Sequence, residues 1–289
     1  MLIDSHHHLW RYSAEQYPWI GDGMEVLAKD YWCEELQKIG EENAVEGFVT
    51  VQARQSLTET EILLTLAEHE PMMLGVVGWL DLRSPELPAQ LERYGKQPML
   101  KGVRHVVQDE PDPDFLLGDA FQAGVRRLQA YDLTYDVLIF ARQLPAAVEF
   151  AANHDNLRLV LDHIAKPTIR GTSIDDDYVR LMRKLAGYSH VSCKFSGVVT
   201  EVRDESWDIE TIRPYWKLML ELFGPSRLMF GSDWPVCLLK SEYDRWLETV
   251  KQLASDLSES EREAIFSENA QRAYKLHNER LIDRKGTTP

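Results

Sequence analysis

"RLMFGSDW", residues 227–234, is an apolar run that ends in a serine, an aspartate and a tryptophan. Its meaning depends on how many runs like it precede it. Working back along the chain, the same build recurs in "LIDSH" (2–6), "AVEGFVTVQ" (44–52), "LGVVGWLDL" (74–82) and "LKGVRHVV" (100–107). It recurs again in "TYDVLIF" (134–140), "LRLVLDH" (157–163) and "HVSCKFSG" (190–197), so residues 227–234 supply the eighth strand candidate. Short β-branched runs of this kind read as buried strands. An amphipathic stretch follows each one, near 31–43, 58–69, 85–95, 119–131, 144–154, 175–187, 211–223 and 242–255. Alternating strands and helices predict a parallel sheet with right-handed crossovers. Eight such units are the number that closes a (β/α)8 TIM barrel, an α/β fold. The rival, an open doubly wound sheet, commonly carries a glycine-rich first turn, and no GxGxxG follows any of these strands.

Local signals support the helix starts and stops. Thr58 and Glu61 have capping-box spacing, and Pro85 and Pro145 suit first-turn positions. "DDDY" (175–178) sets acids at a helix start, and Gly224 followed by Pro225 ends the seventh helix. "LSESEREAIFSENAQRAYKL" (257–276) reads as extra C-terminal helices packed on the barrel. The expected organisation is one domain over 1–289, with a core to about residue 278 and a frayed tail ending in "RKGTTP".

Composition narrows the partners. With 47 acidic against 32 basic residues the formal charge is −15, which disfavours nucleic acid and anionic membrane surfaces. No run approaches the roughly 20 apolar residues that span a bilayer. Cys33, Cys193 and Cys237 are odd in number and widely spaced, which argues against a disulfide framework or a cysteine zinc site. The first 30 residues lack a basic start followed by an apolar run, so a signal peptide is not expected and a cytoplasmic location fits.

The chemistry gathers where the strands end. In "LIDSHHHLW" (2–10) three histidines sit inside an apolar strand pattern rather than beside a linker. Side chains alternate along an extended chain, so His6 and His8 share a face and His7 points away. In a barrel the carboxyl ends of the strands form the active-site mouth. His-x-His at such an end can grip one metal, although a pair of solvated loop histidines has the same spacing. Other strand ends add Asp162, His163 and Lys166 in "LVLDHIAKP", Asp233 in "FGSDWP", Arg104 and His105 in "GVRH", and Lys194 in "CKFSG". Each alone could be a satisfied core or turn residue; convergence on one mouth is what would give them a function. Trp10, Trp79 and Trp234 also lie at predicted strand ends, where an aromatic ring fills the core or offers a face to a ligand ring.

Taken in order, "IDSHHHLW", "GVRH", "DHIAKP", "CKFSG" and "RLMFGSDWPV" resemble the amidohydrolase-related (amidohydrolase 2 type) barrel hydrolases, in the branch of sugar lactonases acting on L-fucono- and L-rhamnono-lactones. "IFSENAQRAYKL" resembles the closing helix of that family. The resemblance covers nearly the whole chain. It implies that His6, His8 and His163 form the histidine cluster and that Asp233 activates the attacking water. It also implies one divalent metal such as zinc on His6, His8, His163 and Asp233, or a metal-free site of the kind some relatives use. No histidine ends the fifth strand, which runs into "LIFARQ", so a two-metal site is not expected.

The expected activity is hydrolysis of a sugar-acid (aldono) lactone to the open hydroxy acid. Arg104, His105, Lys194, Trp10 and Trp234 are the expected substrate contacts, and the small lactone is the expected partner. The number of subunits stays open. The alternatives are a metal-dependent decarboxylase of an aromatic acid, a hydrolase of a pyrone- or muconolactone-type ring, for which Arg104 and Arg142 would suit an anion, and a non-catalytic binding barrel.

Overall fold

Parallel strands β1 (Ile3–His7), β2 (Gly47–Val51), β3 (Met73–Gly78), β4 (Leu100–Val106), β5 (Thr134–Leu138), β6 (Leu159–Leu161), β7 (Val191–Phe195) and β8 (Leu228–Phe230) pair in chain order. The structure, a computed structural model, describes residues 1–276. The expected boundary near 278 and the tail "RKGTTP" lie outside the described residues. The sheet closes through backbone just beyond β8: Asp233 N–H donates to the His6 carbonyl at 2.8 Å, and His8 N–H to the Trp234 carbonyl at 2.7 Å. The fold is therefore a (β/α)8 barrel. The same closure fixes His6, His8 and Asp233 relative to one another.

Asp4 pins this seam. Its carboxylate accepts the backbone N–H groups of His6 (3.0 Å) and Ser232 (2.9 Å) and the hydroxyl of Tyr243 (3.1 Å). Burial pushes the Asp4 carboxyl up to about 6, against the lowering effect of those hydrogen bonds.

The eight barrel helices are α1 (Cys33–Asn43), α2 (Leu57–His69), α3 (Leu87–Tyr94), α4 (Asp119–Arg127), α5 (Leu144–Ala152), α6 (Asp176–Ala186), α7 (Ile209–Phe223) and α8 (Tyr243–Leu253). They start where short polar side chains satisfy orphan N–H groups. Asp175 accepts from Tyr178 N–H at 2.8 Å, and Asp208 from Thr211 N–H at 3.0 Å. The cap of α2 is Ser56, which accepts from Glu59 N–H; Thr58, the expected cap, already lies inside the first turn. Pro145 sits in the first turn of α5, whereas α3 carries Pro88 there and Pro85 precedes the helix. Gly224 ends α7 with φ +64°, a conformation open to glycine at little cost.

The last helices do more than pack on the outside. Beyond α9 (Glu259–Glu263) and a π-helical turn at 264–268, α10 (Asn269–Tyr274) closes the amino-terminal end of the barrel. Ala270, Ala273, Tyr274 and Leu276 join Ile3, Val49, Val51, Leu74, Val77, Val160 and Met229 in one buried cluster inside the sheet. Asn269 donates to the Leu228 carbonyl, and the Thr134 hydroxyl to the Ala273 carbonyl. A second, larger apolar cluster lies between sheet and helices and includes Phe195 stacked on Trp246 at 5.7 Å. α10 covers this end of the barrel, and His6, His8 and Asp233 lie toward the opposite, carboxyl mouth. Among the described residues no helix is long and apolar enough to cross a membrane.

Candidate metal-binding active site

His6 and His8 point into the barrel, with their Nε2 atoms 3.2 Å apart. His7 turns to the helix layer, where its ring meets Phe48 and its Nε2 pairs with the Thr50 hydroxyl at 2.7 Å. Asp233 Oδ1 lies 3.4 Å from His8 Nε2, 3.7 Å from His6 Nε2 and 3.8 Å from His163 Nε2. All four residues are buried. Ligands at about 2.0–2.1 Å around a tetrahedral centre stand roughly 3.3 Å apart, so His6, His8 and Asp233 have the separations that suit one divalent metal. The group His6, His8 and Asp233 has the spacing of a metal site, as has His6, Asp162 and His163.

Backbone geometry explains how adjacent residues Asp162 and His163 both face the centre. On an extended strand they would point apart. Instead His163, Ile164, Ala165 and Lys166 all take positive φ values of 52°, 49°, 61° and 45°. Left-handed backbone costs roughly 1–2 kcal/mol per non-glycine residue, and Ile164, being β-branched, is the least suited of the four. Full burial of Ile164 and Ala165 and a 2.8 Å hydrogen bond from the Tyr178 hydroxyl to the Ile164 carbonyl hold the turn. Gly197 makes room for it. With φ +60°, a Cβ there would stand 2.5 Å from His163 Nδ1 and 2.8 Å from Asp233 Oδ2, so the glycine of "CKFSG" is sterically required.

Electrostatics leave the imidazoles neutral. Burial lowers His8, pushes His163 down to about 4, and with the nearby Lys194 charge holds His6 well below the ordinary value. Burial alone would raise Asp233, but its neighbours His163, His8 and the Lys166 charge hold its carboxyl below the usual range. Partners on the far ring nitrogens set the tautomers. His8 Nδ1 donates to the Val51 carbonyl at 2.8 Å, and His163 Nδ1 lies 2.9 Å from the Ser196 hydroxyl. His6 Nδ1 faces Asp162 Oδ1 at 3.3 Å. Such partners orient metal-ligating histidines and leave Nε2 lone pairs free.

Beneath His6 lies a buried charge cluster. Lys194 Nζ sits 2.6 Å from Asp136 Oδ2, 3.0 Å from Asp162 Oδ1 and 3.1 Å from His6 Nδ1. Arg104 donates to Asp162 Oδ2 at 3.0 Å and to the Gln52 carbonyl, and its Nη1 is 3.3 Å from His6 Nε2. Tyr274 reaches up from α10 to donate to Asp136 Oδ2 at 2.7 Å. Against burial, which would raise it, Lys194, His6 and Arg104 keep the Asp162 carboxyl well below its usual range; burial lifts Asp136 to about 6 despite Lys194.

The structure therefore gathers His6, His8, His163, Asp233 and Arg104, and it moves other expected contacts. His105 alternates with Arg104 and so faces the helices, stacked on Phe115 at 4.8 Å and paired with Glu110 at 2.7 Å. Lys194 lies below the histidines with no exposed surface, where carboxylates saturate it. Trp10 is wholly buried among Tyr17, Trp19 and Tyr31, and its indole N–H bonds the Lys29 carbonyl at 3.0 Å. Trp234 is likewise buried, edge-on to Tyr31 at 5.1 Å. Arg142 donates to the Gln108 carbonyl from over the Phe140 ring. Asp136 and Ser196 were missed by sequence reading. Asp136 pairs in register with Arg104 across β4 and β5, a relation that requires strand alignment.

At the rim of the mouth, Glu59 accepts the N–H groups of Ala53 (3.0 Å) and Arg54 (2.9 Å) and the Tyr17 hydroxyl (3.2 Å). Burial pushes its carboxyl from 4.5 up to about 7, against the lowering effect of Arg54. Between those values the folded state binds more protons than the unfolded one. The stability from this group is thus complete below about 4.5 and lost as pH rises through about 7. Glu59→Gln, which cannot ionise, should melt above the wild type at pH 8 and no higher than it at pH 4.5. Melts giving the same shift at both pH values would place the effect elsewhere.

The carboxyl mouth of the barrel thus gathers three buried imidazoles around one aspartate. The chain belongs to the amidohydrolase family, whose profile matches residues 3–276. It is 45% identical over 289 residues to an L-fucono-1,5-lactonase of Burkholderia multivorans, covering 96% of each chain. An L-fucono-1,5-lactonase of Burkholderia ambifaria is 32% identical, with 95% of each chain covered. The crystal structure of an amidohydrolase from Burkholderia multivorans with bound zinc superimposes with a TM-score of 0.90 at 43% identity, covering 96% of this chain and all of that one.

Proposed function

We propose that this protein hydrolyses a sugar-acid lactone, with L-fucono-1,5-lactone the first candidate, and that Asp233 moves the proton. The protein is a hydrolase acting on a carboxylic ester. The observation that carries the assignment of roles is the meeting of Asp233 Oδ1 with three imidazole Nε2 atoms within 3.8 Å. The likeness in sequence to two L-fucono-1,5-lactonases carries the substrate class.

Lactone opening needs a proton taken from water, a stabilised carbonyl oxygen and a proton returned to the ring oxygen. Asp233 is the one carboxylate at the centre whose charge is not matched by Arg or Lys at hydrogen-bond range, so it serves as acceptor. It holds the proton on its carboxylate and returns it to the leaving oxygen. His6, His8, His163 and Asp233 would hold a divalent metal such as zinc, which when bound polarises a carbonyl as a Lewis acid. Arg104 keeps His6 and Asp162 in place and brings a fixed positive charge to the edge of the centre. The plugged lower end and buried walls exclude bulk water, which strengthens every charge–dipole interaction inside. Three free, buried cysteines support a cytoplasmic location.

Proton release from a panel of aldonolactones, with and without chelator, tests the reading. Hydrolysis of at least one 1,5-lactone is expected, with metal content of the purified protein measured alongside. No hydrolysis of any lactone, or carbon dioxide evolved from an aromatic acid, would overturn it.

A further inference from the structure

Buried polar atoms without a protein partner are uncommon, and each leaves a desolvation cost unrelieved. Here several gather at one place. Gln52 directly follows β2 and is fully buried, yet its Oε1 has no hydrogen-bond partner. Trp79 directly follows β3, and its indole N–H is buried with no partner. Arg104, on β4, has its Nε–H unpartnered as well. The strands β2, β3 and β4 are neighbours in the sheet, so these three groups share one side of the mouth. Gln52 and Arg104 touch across the end of β3, since the Arg104 guanidinium donates to the Gln52 carbonyl. Their wall begins 3.3 Å from His6 Nε2.

Trp79 differs from the tryptophans expected to meet substrate. Trp10 and Trp234 are packed in the core, whereas Trp79 is half-buried and belongs to neither apolar cluster. Among the described residues it makes no ring contact with another aromatic side chain. Its backbone is fixed, because the Thr60 hydroxyl accepts from its N–H at 2.9 Å and donates to its carbonyl at 2.8 Å. A rigidly mounted indole with an unpartnered N–H suits a ligand with one apolar and one polar side.

The chemistry of the wall is mixed: two donors, and one amide whose Oε1 is left to accept while its Nε2 donates to the Arg104 carbonyl at 3.5 Å. A carboxylate accepts only, and an alkyl ring does neither. A hydroxyl does both, so adjacent hydroxyls on a ring match this set. We propose that Gln52, Trp79 and the Nε edge of Arg104 form the subsite for the ring hydroxyls of the substrate, with the Trp79 ring against its apolar face. This rests on the lactonase reading and extends it, because it says which side of the mouth distinguishes a sugar lactone from a bare one.

The test compares a hydroxylated 1,5-lactone, L-fucono- or D-galactono-1,5-lactone, with unsubstituted δ-valerolactone in the wild type, Trp79→Phe and Gln52→Leu. Trp79→Phe keeps a ring and removes the N–H; Gln52→Leu keeps the volume and removes the amide. Each should lower kcat/KM on the hydroxylated lactone by about 10- to 100-fold, the loss expected for a buried hydrogen bond left unmade, while δ-valerolactone changes by less than about threefold. Equal losses on both lactones, or no loss on the hydroxylated one, would overturn the subsite. If the wild type hydrolyses neither, the lactonase reading fails by itself. Calorimetric titration with L-fucose then decides the subsite: at least tenfold weaker binding in both variants sustains it, and unchanged or undetectable wild-type binding ends it.

Discussion

Asp233→Asn should fold with a thermal midpoint close to that of the wild type and lose about 10²–10⁴-fold in kcat on its lactone, the range typical for removing a general base. The separation of fold from activity follows from local geometry. Asp233 has φ +60°, a conformation that Asn tolerates about as well as Asp. An amide also preserves the shape of the carboxylate, and the backbone bond from residue 233 to the His6 carbonyl does not involve the side chain. What is lost is the capacity to take a proton. Loss should appear mainly in kcat, because the role is exercised as the bond to water forms rather than on binding. Turnover within tenfold of the wild type, measured with a matched melting curve, would remove Asp233 from the proton-transfer role.

The barrel was legible because its signal repeats. Each strand run predicted from periodicity overlaps an observed strand, and a missed boundary, such as 157–163 against Leu159–Leu161, leaves the count intact. The histidine pair was legible because alternation along β1 decides which two rings share a face. The same rule, applied to "GVRH", sends His105 to the helix side once Arg104 faces inward, so alternation separates the two residues that a shared strand end groups together. Lys194 was different. Its strand end read correctly, but its depth below the mouth depends on Asp136 and Asp162 waiting on neighbouring strands. Trp10 was misplaced because a strand-end position says nothing about the long following segment, which brings Tyr17, Trp19 and Tyr31 over it. The left-handed turn at 163–166 contains no glycine, so no propensity marks it.

Lys194→Met should cost the largest share of stability of any single change considered, about 3–5 kcal/mol, the range found when one partner of a buried ion pair is removed. Lys194 and Arg104 face Asp136 and Asp162 in a group whose charges cancel, with no water-accessible surface on either carboxylate. Methionine restores the volume and none of the charge. Asp162 keeps Arg104 at 3.0 Å, so the deficit falls on Asp136, left with the Tyr274 hydroxyl as its donor. The Asp136 carboxyl, already raised to about 6 by burial, should then rise further. A protonated Asp136 needs no cation, so the penalty should be smaller at pH 5 than at pH 8, and Asp136→Asn in the Lys194→Met background should recover much of it. Urea unfolding at the two pH values measures both effects. A loss that is independent of pH and not relieved by the second substitution would mean that Lys194 acts through packing, and that His6 is positioned without help from the charge beneath it.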